Sequence, residues 1–299
     1  MNETWAYLNG DYVPAGEIAV ALDDAGFLWG ATVTERLRTF GGQWFRLEDH
    51  LQRLARSMEI VGIDPGMDPA ALGEVAVELA RRNFAQVAEG DDLGLVIFAT
   101  PGRAGADRPT VCLHTTRLPH EIWARKYERG EALTVTPVEQ VSARCWPPEL
   151  KCRSRMHYYL ADREAQRIDP GSRALLLDAA GHVVEASTAN VLIYREDSGL
   201  ISPPRSRVLP GISLAVLKEL AVAEKIPFSQ RDLRPDDIAA ADEVLLTSTS
   251  SCLLPVTRFN KATVGSGEPG PMFGRLVRVW SEMVGVDFVA QTKRFARSG

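Results

Sequence analysis

Lysine is scarce in this chain. Of 34 basic residues in 299, six are lysine and the other 28 are arginine. Cysteine is scarcer, with four, at Cys112, Cys145, Cys152 and Cys252. These are scattered and form no C-x-x-C pair, which argues against a zinc site or a disulfide framework and fits a reducing cytoplasm. No apolar run approaches the length of a membrane span. The opening Met1-Asn2-Glu3-Thr4-Trp5 also lacks the basic stretch and apolar run expected of a secretory signal. A net charge of −5 gives no reason to expect nucleic acid or an anionic membrane as partner. What is present is ordinary for a soluble globular protein: 45% hydrophobic and 24% charged residues, in a length that suits one large core or two domains of ordinary size.

The pattern along the chain predicts mixed α/β architecture. Asn9-Gly10 between Trp5-Ala6-Tyr7-Leu8 and Asp11-Tyr12-Val13 is a strong hairpin signal. A second hairpin runs from Val33–Phe40 through Gly41-Gly42 to Gln43–Leu47. The periodicity then predicts a helix over Glu48–Val61, with Leu51, Leu54, Ala55 and Met58 as its apolar stripe. A second helix follows, capped by Asp68-Pro69 and turning Leu72, Val75, Ala76 and Leu79 inward. Leu93–Ala99 and Thr110–Thr115 read as strands that close an α+β domain over residues 1–118. The charged stretch around Pro119, residues 119–130, reads as a linker. A second domain over residues 131–290 carries strands near Leu133–Thr136, Arg173–Asp178, His182–Ala186, Asn190–Tyr194, Val244–Leu246 and Leu253–Val256. Its helices fall near Arg155–Ile168, Gly211–Glu224 and Phe273–Val284, and residues 291–299 read as a loose tail.

Five of the six lysines have plain readings as solvated charges. Lys218 lies on the polar face of a helix and Lys225 ends it; Lys261 sits in a turn, Lys126 in the linker and Lys293 in the tail. Lys151 alone follows a constrained apolar stretch, Trp146-Pro147-Pro148-Glu149-Leu150. A lysine that attacks an aldehyde must lose its proton, and a partly desolvated site among other cations favours that. Further on, Pro210-Gly211-Ile212-Ser213 opens an apolar helix, whose free amides and dipole suit an anion. Val183, Glu185 and Asn190, and the hydroxyl cluster Thr247-Ser248-Thr249-Ser250-Ser251, complete the set.

In that order, these motifs resemble the class IV aminotransferase family, whose members include branched-chain and D-amino acid aminotransferases and aminodeoxychorismate lyases. The resemblance runs from about Leu8 to about Trp280. It implies a two-domain fold-type IV enzyme, with pyridoxal 5'-phosphate in the cleft between the domains, and a homodimer. It implies that Lys151 joins the cofactor as a Schiff base and that Glu185 faces the pyridine nitrogen. A Glu that ends a hairpin is otherwise usually a surface charge. The resemblance also assigns the phosphate to the backbone of Gly211, Ile212 and Ser213, to Ser248 and Thr249, and to Arg53 of the His50-x-x-Arg53-Leu54 helix. No metal is implied.

The strand around Thr34 is the most individual region. Thr34, Arg36, Arg38 and Phe40 share one face of it. Branched-chain members carry an aromatic and a small or apolar residue where this chain has Thr34 and Arg36. A guanidinium binds carboxylate bidentately, so the pocket suits a polar or anionic group, unless Arg36 and Arg38 lie on a solvated edge. After the lysine, where the family has small residues and an Asn, this chain has Cys152, Arg153, Ser154 and Arg155. If that stretch is extended, Lys151, Arg153 and Arg155 lie on one side and ask for a bound anion. The activity implied is transfer of an amino group from an amino acid to a 2-oxo acid in ping-pong order. Elimination in the manner of an aminodeoxychorismate lyase, and non-catalytic cofactor binding, are the alternatives.

Overall fold

The computed structural model describes residues 4–297, which form two compact units. Unit 1 comprises residues 4–118 together with Leu150–Ser154. Unit 2 comprises Pro119–Glu149 together with residues 155–297.

Unit 1 opens with β1 (Trp5–Leu8) and β2 (Asp11–Pro14), turned at Asn9-Gly10. There follow α1 (Ala25–Leu28), β3 (Val33–Phe40), β4 (Gln43–Trp44), α2 (Leu47–Val61), α3 (Pro69–Asn83), β5 (Leu93–Thr100) and β6 (Thr110–Arg117). Among the described residues the strands form an antiparallel sheet in the order β2-β1-β6-β5-β3-β4. Alternation along β3 sends Val33 and Leu37 into the core with Leu95, Ile97 and Leu113, against Leu51, Leu54 and Met58 of α2 and Leu72, Ala76 and Leu79 of α3. Burying each of these Val, Leu, Ile and Met side chains stabilises by about 1.5–3 kcal/mol. Asp68 caps α3 by accepting from Ala71 N, as its sequence suggests. The second hairpin is shorter than expected. Arg46 takes the left-handed conformation (φ 54°), and the chain enters α2 at Leu47.

Unit 2 contains α4 (His120–Arg129), β7 (Glu131–Val135), α5 (Met156–Ile168), β8 (Ser172–Leu177), β9 (Val183–Ala186), β10 (Asn190–Arg195) and β11 (Gly199–Ser202). It continues with α6 (Ile212–Ala223), β12 (Phe228–Gln230), α7 (Pro235–Ala239), β13 (Glu243–Ser248), β14 (Cys252–Phe259), β15 (Ala262–Thr263), α8 (Pro271–Val284) and α9 (Phe288–Ala296). Among the described residues its mixed sheet runs β12-β11-β10-β13-β14-β7-β8-β9, with β15 paired to β14.

Two segments differ from the sequence reading. Residues 119–130, expected as a linker, form α4, which buries His120, Trp123 and Tyr127 and belongs to unit 2. Its inward face is made of amphipathic residues, so no aliphatic stripe announces it. Of the expected tail 291–299, residues up to Ala296 lie in α9, with Gln291 and Thr292 buried. The last two lie outside the described residues. No helix among the described residues is long and apolar enough to cross a membrane.

Candidate active site

Lys151 is fixed through its backbone to the edge of the unit 1 sheet. Thr34 N donates to Lys151 O at 3.0 Å, Arg153 N donates to Thr32 O at 2.8 Å, and Val33 and Cys152 form an antiparallel bridge. Lys151 N donates to Ser57 Oγ of α2 at 3.2 Å. Residues 151–153 thus lie alongside β3, on the edge that β4 occupies further along. Antiparallel register puts Lys151 beside Thr34 and Arg153 beside Thr32.

Behind this edge lies a buried ionic cluster. Glu35, on the core face of β3 between Val33 and Leu37, is fully buried. A carboxylate there requires partners, and α2 supplies them. Arg53 donates from Nε and Nη2 to its two oxygens at 2.7 and 2.8 Å, and His50 Nδ1 lies 2.7 Å from Oε2. Burial pushes the Glu35 carboxyl up, but Arg53 and His50 outweigh it and hold the group far below the usual carboxylate range. Burial pushes His50 below its ordinary value against the pull of Glu35, and the charges of Arg53 and Lys151 add to that. His50 Nε2 is enclosed without a hydrogen-bond partner.

The other face of β3 carries the residues expected at the substrate. Thr34 is buried, and its hydroxyl donates to Ile97 O at 2.8 Å. Arg36 is exposed. Arg38 does not share that exposure: it is fully buried, with its guanidinium 4.2 Å from the Phe40 ring centroid and Nε donating to Thr39 O. Arg153 lies with its guanidinium carbon 5.8 Å from the Phe98 ring centroid.

The remaining candidates are in unit 2. Glu185 is the last residue but one of β9 and is buried; Tyr158 Oη donates to its Oε1 at 2.5 Å and Gln140 Nε2 at 2.8 Å. Leu209 N donates to Oε2 at 3.4 Å. Leu209 leads into the turn at Gly211, where α6 begins without a side-chain cap. Asn190 Nδ2 donates to Leu209 O at 3.0 Å, and its Oδ1 lies 2.0 Å from where a Cβ on Gly211 would stand. Glycine is required at this turn for that close approach, since its φ of −66° is ordinary. Asn190 pairs with Thr247, the neighbour of Ser248. Ser248 and Thr249 enter the turn between β13 and β14, and Ser248 Oγ lies 3.1 Å from Ser251 Oγ. Asn190 therefore brings the start of α6 and the hydroxyl turn together, with Glu185 attached through Leu209. Ser213 is buried in the first turn of α6 and Ile212 half-buried.

Arg155 departs from the sequence reading. It is the N-cap of α5 and belongs to unit 2, so Lys151, Arg153 and Arg155 are not one extended row. The helix starts at Met156, and Arg155 acts electrostatically on His157 and Tyr158.

Sequence reasoning missed Glu35, Tyr158 and Gln140. An acid at an inward position of an alternating strand could have pointed to Glu35. Tyr158 and Gln140 carry no such signal, because only the tertiary fold brings them to Glu185.

The family model described as Amino-transferase class IV matches residues 32–259. The chain belongs to the class IV aminotransferase family. As a member it is a pyridoxal-phosphate-dependent transaminase. It is similar to the D-alanine aminotransferase of Bacillus licheniformis, 27% identical over 88% of this chain and 91% of the relative. That of Staphylococcus haemolyticus is 26% identical over 91% and 95%. The fold is that of fold-type IV enzymes. A branched-chain amino acid aminotransferase from Thermobaculum terrenum, solved in its PLP-bound holo form, matches with a TM-score of 0.82 at 23% identity, over 95% of this chain and 94% of that one. The branched-chain enzyme of Escherichia coli matches with a TM-score of 0.82 at 20% identity, over 93% of each.

Proposed function

We infer that this enzyme transfers the amino group of an amino acid to a 2-oxo acid in two half-reactions of ping-pong order, with Lys151 as the residue that holds the cofactor and moves the proton. The observation that carries the reading is the grouping in unit 2 of a buried carboxylate, an uncapped helix start and a hydroxyl turn, linked through Leu209 and Asn190. These donors fit pyridoxal 5'-phosphate: the amides of Gly211, Ile212 and Ser213 and the hydroxyls of Ser248 and Thr249 suit its phosphate, and Glu185 suits its ring nitrogen. Arg53 is assigned to the phosphate as a cation that Glu35 holds in a fixed orientation. When bound, the group supplies an aldehyde for covalent attachment and a ring that accepts electrons.

Lys151 would attach the cofactor and, once displaced by the incoming amine, would move a proton from the substrate Cα to the cofactor's aldehyde-derived carbon in one half-reaction and back to Cα in the other. Its backbone bonds to Thr34 and Ser57 hold it at the sheet edge for that purpose. Glu185 keeps a proton on the ring nitrogen. Arg36, exposed on the face that Thr34 shares, is assigned to a polar or anionic group of the substrate, with Arg155 as a second cation. Arg38, enclosed against Phe40, is assigned to support that face. Two copies form the working molecule in this reading, which the exposed Leu22, Phe27, Leu28 and Trp29 support as a surface that calls for cover.

The test is the visible spectrum of the holoprotein with a panel of L- and D-amino acids. A cofactor band that one set of donors bleaches and a 2-oxo acid restores is the expected result. A band that no donor changes would overturn the reading.

A further inference from the structure

Glu185 is held more firmly than contact with a ring nitrogen requires. Its Oε1 accepts from two donors on different elements: Tyr158 Oη, from α5, and Gln140 Nε2, from the segment that follows β7. Oε2 receives the amide of Leu209 at the longer distance of 3.4 Å.

The donors are themselves set in place. α5 seats Ala161 and Ala165 on Ala174 and Leu176 of β8, and Tyr158 packs against that cluster. Asp162 Oδ1 of α5 accepts from Ala174 N at 2.9 Å and from Ser187 Oγ at 2.8 Å. The helix that carries Tyr158 is therefore tied both to β8, which pairs with the strand of Glu185, and to the turn that follows that strand. Gln140 gives a second, independent sign. Its Oε1 is enclosed with no hydrogen-bond partner, a costly arrangement that follows when the amide turns its nitrogen to a carboxylate. Tyr158 stays a donor because burial and the adjacent charge of Glu185 push its phenol well above the usual range.

We propose that Tyr158 and Gln140 are positioning residues that donate to Glu185 Oε1, orient the carboxylate and hold it in its charged form toward the cofactor ring nitrogen. The proposal rests on the assignment of Glu185 made above. Two donors on one oxygen lower the proton affinity of the carboxylate, so the shared proton stays on the ring. Without them the carboxylate draws the proton away, and the ring becomes a weaker electron acceptor.

The experiment is 15N NMR of the holoprotein carrying ring-15N pyridoxal 5'-phosphate, followed across pH in wild type, Tyr158→Phe, Gln140→Leu and Glu185→Gln. Glu185→Gln should move the ring-nitrogen resonance to the position of unprotonated pyridine. Tyr158→Phe and Gln140→Leu should lie part-way, with cofactor binding weakened by about two- to tenfold, the net value of one hydrogen bond. If both keep the wild-type resonance at every pH, even with a lowered melting temperature, the proposal is overturned and the two side chains are structural. If Glu185→Gln itself leaves the resonance unmoved, the assignment of Glu185 fails instead. Should Tyr158→Phe not fold, Gln140→Leu decides the matter alone.

Discussion

Arg53 grips Glu35 through both carboxylate oxygens, at 2.7 and 2.8 Å, with the Arg53 side chain 9% exposed and the Glu35 side chain fully buried. Removing one member of such a pair leaves an uncompensated buried charge. Glu35→Ala should therefore cost on the order of 3–5 kcal/mol in urea unfolding. A loss below about 1 kcal/mol would mean that the pair behaves like a surface ion pair.

The same cluster sets a pH dependence. The folded pKa of His50 is lowered, so its stabilising contribution is complete above the ordinary histidine value of about 6.5 and declines as pH falls through it. The folded pKa of Glu35 is lowered as well, so its contribution holds until pH falls below the ordinary carboxylate value of about 4.3 and then drains away on further acidification. Unfolding free energy should thus fall in two stages between neutral and strongly acid pH. His50→Gln should shrink the first stage, to which His114 and His157, both also lowered by burial, contribute; an unchanged profile in that variant would assign the slope to those other groups.

Lys151→Ala should abolish covalent attachment of the cofactor and reduce turnover by roughly 10⁴-fold, the upper end for a lost proton-transfer group. The fold should persist, because the segment is held to β3 and α2 by backbone atoms of residue 151. Trapping with borohydride followed by intact mass checks attachment directly, and a labelled variant would remove Lys151 from the site.

Gly211→Ala would place a Cβ 2.0 Å from Asn190 Oδ1. The clash should cost about 1–3 kcal/mol and weaken cofactor binding, because it displaces the side chain that ties Leu209 to β10. Combining it with Asn190→Gly should recover part of the stability lost in Gly211→Ala. Strictly additive losses in thermal unfolding would show that the two positions do not share this contact.

Arg36→Ala should lower kcat/KM for substrates with a second anionic group by about 10–100-fold, the range for a hydrogen bond to a charged group, and spare apolar ones. Steady-state kinetics over a matched panel of acidic and apolar amino acids would settle it; equal losses throughout would place Arg36 outside the substrate pocket.

Much of this was legible in the sequence where local signals are strong. Asn9-Gly10 announced its hairpin, the spacing of Leu51, Leu54 and Met58 announced α2, and Asp68 announced the start of α3. The segments misread are those whose buried faces use polar or amphipathic side chains: His120, Trp123 and Tyr127 in α4, and Gln291 and Thr292 in α9. The short β11 and α1 offer too few residues for periodicity to register. At the site, candidates carried by a local motif, such as the Gly211 turn and the Ser248-Thr249 turn, could be named in advance. Glu35 could be found only by asking what an acid does on an inward face. Gln140 and Tyr158 could not, since 45 and 27 residues separate them from Glu185.

Leu150–Ser154 belongs to unit 1, while the chain on either side of it belongs to unit 2. The polypeptide therefore passes from one unit to the other three times, and neither unit is a contiguous gene segment. A truncation after Leu118 would retain Glu35, His50 and Arg53 but lose both the lysine and the short strand that borders β3. A fragment starting at Pro119 would retain the lysine but not the Thr34 and Ser57 partners that hold it. Exchange of one unit between relatives by simple recombination at a single crossover would part Lys151 from its native anchor. This small insertion makes the two halves of the enzyme inseparable as modules.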